Sequence, residues 1–170
     1  MEETPITEAP DPKSNIRRVA DFAEIEAEFV QRAHAIALCN VATVDSRQRP
    51  RSRILHPVWD GSTGWITTRH DSPKIKQLAA NPAVSLAYIA DLFRPIYVEC
   101  TAVWVGDLAT RQRIWNLLRS LPEPVGFDPA LTWGDIEHPE NGMLRLTPWR
   151  VELNDFVIRP TVTKVWQARP

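Results

Sequence analysis

Cysteine is scarce in this chain: the 170 residues hold two, Cys39 and Cys100, both inside apolar, strand-like runs. Two such thiols exclude a disulfide scaffold and are expected to be buried and free, as in a protein of a reducing compartment. Long hydrophobic runs are missing too. No stretch approaches the roughly 18 uninterrupted apolar residues of a membrane-spanning helix. The opening MEETPITEAPDPK is acidic and proline-rich where a secretory signal would be basic and then apolar. A cytoplasmic protein is the expectation. The charges nearly cancel, 20 Lys and Arg against 21 Asp and Glu leaving a formal net charge of -1. That balance provides no broad field for wrapping nucleic acid, so any bound anion must be held by a local cluster, which points to a small molecule. The four histidines, at 34, 56, 70 and 138, form no i,i+4 pair and have no neighbouring cysteine, so no metal site is expected. Serine-nucleophile, Walker and dinucleotide fingerprints are absent as well, which argues against hydrolase chemistry of either kind.

What is present has the length of one domain and the composition of an ordinary globular protein. Residues 1–17 combine Pro5, Pro10 and Pro12 with several acids and read as a mobile arm; residues 18–170 read as a single domain. Asp21 and Glu24 have the spacing of a capping box, and Phe22, Ile25, Phe29, Val30 and Ala33 follow at helical spacing. The run AIALCNVATV reads as a buried strand ended by Asp45-Ser46. RSRILHPVW alternates over 51–59, placing Arg51 and Arg53 on one face. A turn at Asp60-Gly61, then GWITT, AVSLAYIA and IYVECTAVWV, supply three more strands. Strands joined so closely suggest a mainly β fold with flanking helices, an antiparallel barrel rather than a parallel sheet. Helices are expected over 72–80 and 108–121, the second with Ile114, Leu117, Leu118 and Leu121 on one stripe. The segment 122–141, with Pro122, Pro124, Pro129 and Pro139, reads as a long surface loop in which Trp133 is a candidate lid. MLRLTPWRVELNDF is a last strand, and Lys164-Val165-Trp166 a short terminal piece. The seven tryptophans are spread along the chain, as core or interface residues would be.

The most informative stretch runs from Thr67 through Thr68 and Ser72 to Lys74, where a strand passes into a helix. Ser72 suits the N-cap and Pro73 the first helical position, where its missing N–H costs nothing. Lys74 and Lys76 then stand in the first turn, where the positive end of the helix dipole disfavours cations. A phosphate at that helix start would resolve the conflict. It would gain free backbone amides, the hydroxyls of Thr68 and Ser72 and the Lys74 ammonium, with Arg51 and Arg53 closing the cage from a neighbouring strand.

From about Ile36 to Glu152 the sequence resembles the pyridoxamine 5'-phosphate oxidase-like family of flavin-binding split β-barrels. The resemblance is carried by R-x-R-I-L at 51–55, G-W-I-T-T at 64–68, S-P-K at 72–74 and L-A-A-N-P-A-V-S-L at 78–86. It implies a split antiparallel β-barrel and a homodimer with FMN at the interface. The phosphate would lie on Arg51 or Arg53, Ser72 and Lys74, and the ring along Thr67 and Thr68. Two departures stand out. The family's Arg-x-His substrate motif has no counterpart in NDFVIRPTVTKVWQARP, so oxidation of vitamin B6 phosphates is not expected. A lysine that the oxidase carries after its arginine is replaced near His56 or Pro57. His56 itself falls near the expected flavin face. The resemblance implies an FMN-dependent oxidoreductase of unknown substrate and names no catalytic side chain. A deazaflavin-dependent reductase, or a protein that holds flavin or haem without turnover, stays open beside it.

Overall fold

Alternation along the chain builds most of this molecule: Val84, Leu86 and Tyr88 are buried between exposed neighbours, and Val98, Cys100 and Ala102 repeat the pattern on the next strand. The computed structural model describes residues 15–158 and 161–169. Its first half contains β1 (Asn15–Val19), a 3-10 turn at Phe22–Glu24, α1 (Glu26–His34), β2 (Cys39–Val44), β3 (Pro50–Leu55), β4 (Val58–Asp60) and β5 (Thr63–Arg69). Then come α2 (Pro73–Ala80), β6 (Ala83–Tyr88), β7 (Ile96–Trp104), α3 (Leu108–Ser120), α4 (Ala130–Trp133), β8 (Asn141–Asp155) and β9 (Val162–Gln167). No helix among the described residues is long and apolar enough to cross a membrane.

The strands form one branched sheet in the order β1-β9-β8-β7-β6-β2-β3, with β4 and β5 as a side ribbon. Strand β8 is the branch point. Along one side it pairs with β7; along the other it pairs first with β5, over Asn141 to Leu146, and then with β9, over Arg150 to Asp155. The handover falls at Thr147–Trp149, where the register with β7 also slips. Pro148 sits at that irregularity, a position where a residue without an N–H breaks no ladder bond. The barrel is therefore split rather than closed, and the pairing is antiparallel except for β1 with β9.

One core fills the barrel around Phe29, Trp59, Leu86, Val98 and Val151. A second cluster of Val58, Trp65, Ile114, Leu118, Val125 and Met143 lies under α3 and the segment that follows it. Gly126 is required there: a Cβ would meet the Leu121 carbonyl oxygen at 1.8 Å. Both cysteines are free and buried, and burial pushes the Cys39 thiol up to about 12.

Several expectations need correction. Residues 15–17 belong to β1, so the expected arm is at least three residues too long; its remainder lies outside the described residues. The continuous strand expected over 51–59 is two strands, because the chain breaks at His56-Pro57, where proline cannot donate to a ladder. Beyond the break neither face is open to solvent: Val58 and Trp59 are both buried, one in each core. The strand expected from Ala35 is β2 and begins at Cys39, since the chain turns through Ala37 at φ 58. The Asp21 capping box exists but caps the 3-10 turn before α1. Segment 122–141 contains α4 and is tied down by Arg111, which donates to the Ile136 and Asn141 carbonyls.

Candidate functional site

Strand β3 pairs with β2 so that Arg51 stands opposite Thr43 and Arg53 opposite Val41, and α2 lies against the same β2. The two elements therefore bring their polar side chains together in a cleft of about 280 Å³, lined by Arg51, Arg53, Ser72, Lys74 and Gln77. Four of the six anticipated residues meet there. Thr67 and Thr68 do not line it. As neighbours on β5 they point to opposite faces, Thr68 buried and Thr67 half-buried.

The cleft is strongly cationic. Among the described residues, Arg51, Arg53 and Lys74 form no ion pair. Burial, and then the nearby Arg53, hold the Lys74 ammonium below its ordinary value, with Asp71 opposing weakly. Burial and Arg51 act on Arg53 in the same direction. In both, burial is the larger cause and repulsion from a neighbouring cation adds to it.

The helix start differs from expectation in one respect. Ser72 has the extended backbone of an N-cap, but its Oγ accepts from Lys74 Nζ at 2.9 Å and makes no cap bond. Pro73 has no N–H, and the Ile75 amide already donates to the Ser72 carbonyl at 3.0 Å. The cationic cleft is thus built chiefly from side chains. Two residues that sequence reasoning missed complete it. Arg53 Nη1 donates to Thr43 Oγ1 at 2.8 Å, and Arg53 Nη2 to Gln77 Oε1 at 3.1 Å. Thr43 Oγ1 donates to the same Gln77 oxygen at 2.6 Å. One signal was available for Gln77: it lies three residues after Lys74, on the same helix face.

His56, placed near the expected flavin face, packs on Phe127 with ring centroids 5.0 Å apart, and its Nε2 is buried without a partner among the described residues. His34 Nε2 accepts the Trp59 amide at 3.0 Å, a bond only the neutral ring can make. Burial, then His56, lowers the His34 pKa; burial lowers that of His56, against a hydrogen bond to the Val125 backbone. Both rings therefore bind protons more readily in the unfolded chain. Their contribution to stability is complete above the unfolded value of about 6.5 and is lost as pH falls through the lower folded values. Urea midpoints should be flat from about pH 8 to 7 and decline below about 6.5. The His34→Gln, His56→Gln double variant should flatten that decline; an unchanged slope would show that other groups cause it.

Trp133, the candidate lid, sits half-buried in α4 and lines none of the cleft.

No curated protein matches the sequence. Among solved structures, the chain is similar to a pyridoxamine 5'-phosphate oxidase-related, FMN-binding protein from Nostoc punctiforme. The two share 16% identity with a TM-score of 0.64, over 89% of this chain and 92% of that one. A Clostridium acetobutylicum protein related to general stress protein 26 aligns at 15% identity and TM-score 0.65, over 84% of this chain and 94% of its own. The heme storage protein of Vibrio cholerae aligns at 19% and 0.56, over 73% and 89%. These likenesses establish the split-barrel fold. The family described as pyridoxamine 5'-phosphate oxidase matches residues 25–122, more than half of the chain and the whole of the cationic cleft, and the chain belongs to that family.

Proposed function

We propose that this protein is an FMN-dependent oxidoreductase that grips the flavin phosphate in the cleft between β3 and α2. The observation that carries the reading is the trio Arg51, Arg53 and Lys74, three cations around one cleft with no carboxylate paired to any of them among the described residues. A phosphate monoester supplies the missing negative charge and accepts several charge-assisted hydrogen bonds at once. Lys74 and Ser72 would hold it from the helix and the two arginines from the strand. Thr67 and Thr68 belong to the strand that leads into this helix and are assigned to the flavin ring. Bound FMN supplies the hydride or electron chemistry, and the protein supplies orientation and exclusion of water.

The same reading makes the protein a cytoplasmic homodimer. Ile54 and Tyr97, both exposed, stand with Asn40 and Ala87 in one cross-strand row on the outer face of β3, β2, β6 and β7. Such a face suits a second copy. The test is an absorbance spectrum of the purified protein, followed by titration of apo-protein with FMN, a deazaflavin coenzyme and hemin. Saturable FMN binding with quenched fluorescence supports the reading. Binding of deazaflavin or hemin in its place would overturn the cofactor assignment. Bound FMN that neither accepts electrons from reduced pyridine nucleotide nor reacts with oxygen would make the protein a carrier rather than an enzyme.

A further inference from the structure

Arg53 is held in place without being neutralised. A guanidinium on a strand is commonly fixed by a carboxylate, which also cancels its charge. Here both anchors are neutral. Arg53, Thr43 and Gln77 close a ring of three hydrogen bonds in which Gln77 Oε1 accepts twice, from Arg53 Nη2 and from Thr43 Oγ1. Those two donors also decide which way the Gln77 amide faces, because only its oxygen can accept. The Nε2 hydrogens are left without an acceptor among the described residues, on a side chain that lines the cleft.

We propose that Gln77 is a binding and positioning residue of the anion site, an inference that rests on the phosphate reading of the cleft. It locks Arg53 at full charge and offers its own amide hydrogens to the bound phosphate, while Thr43 completes the lock. The identity of residue 77 then sets the site's preference. A glutamate of the same length would hold Arg53 at least as firmly. It would also bring a negative charge to the place where the phosphate must sit and would offer no donor.

The experiment compares Gln77→Glu, Gln77→Met and Thr43→Val with the unaltered protein, in titrations with FMN and with riboflavin, which lacks the phosphate, alongside thermal melts. Gln77→Glu should melt no lower than the unaltered protein yet bind FMN at least about 100-fold more weakly. Gln77→Met should lose about 10-fold and Thr43→Val less than that. Riboflavin affinity should be the same in all four proteins. FMN binding by Gln77→Glu as tight as that of the unaltered protein would overturn the proposal. So would equal losses for FMN and riboflavin, which would mark Gln77 as a packing residue. If Gln77→Glu fails to fold, the FMN-against-riboflavin split in Gln77→Met decides the matter. Failure of the unaltered protein to bind FMN would instead overturn the underlying reading, and the lock's purpose with it.

Discussion

Replacing Arg53 and Lys74 together by alanine should weaken FMN binding by about 2–4 kcal/mol, or roughly 30- to 1000-fold, because each change removes a charge-assisted phosphate contact. The fold should survive the double change. Neither residue forms an ion pair among the described residues, and both sit at the rim of a cleft rather than in the core. Removing them even relieves a mutual repulsion, since Arg53 is one cause of the lowered Lys74 pKa. Isothermal titration of the double variant and of each single variant is the measurement. Affinity unchanged within twofold in the double variant would refute the phosphate cage. Arg51→Ala belongs in the same series. Arg51 is exposed and makes no hydrogen bond among the described residues, whereas Arg53 is half-buried and anchored, so Arg53 should account for the larger share of the loss.

Phe29→Ala carries the largest expected cost to stability, about 3–5 kcal/mol. Phe29 is fully buried, with its ring edge-on to Phe22 at 5.8 Å and to Trp59 at 4.7 Å. Phe22 in turn stands against Trp166 on β9, and Trp59 donates through Nε1 to the Tyr88 hydroxyl at 2.7 Å. The ring thus seats α1 on the barrel core, and truncation leaves a cavity that rigid aromatic neighbours cannot collapse to fill. Set against a typical total of about 5–15 kcal/mol, that loss should bring the variant close to unfolding at room temperature. Urea denaturation is the check. A loss below about 1 kcal/mol would mean that α1 is peripheral to the core.

How far these features could be read in advance depended on whether each one is local. Strands β6 and β7 were legible because their apolar residues alternate without a break, as was α2, announced by Ser72 and Pro73. The break between β3 and β4 was hidden: the alternation from Arg51 to Trp59 runs through Pro57 in phase, while the missing N–H stops the ladder there. Strand β1 carries almost no signal, with four of its five residues exposed, and exists because β9 offers it an edge. In the cleft, charge was legible and orientation was not. The arginines and Lys74 could be read from residue types. The preference of Ser72 for Lys74 over its own helix, and the clasp of Thr43 and Gln77 on Arg53, depend on how α2 lies across β2. Thr67 and Thr68 show the same limit: their place on β5 was legible, while the face each presents, and their absence from the lining of the cleft, was not.

The position of β8 also governs how the protein can be made. This strand pairs with β5, β7 and β9, yet it is translated after β5 and β7 are complete. Until the ribosome has delivered Asp155, both earlier strands keep open edges and apolar faces, the condition in which nascent chains associate wrongly or engage chaperones. Fragments ending before Asn141 should therefore accumulate as aggregates rather than as smaller barrels.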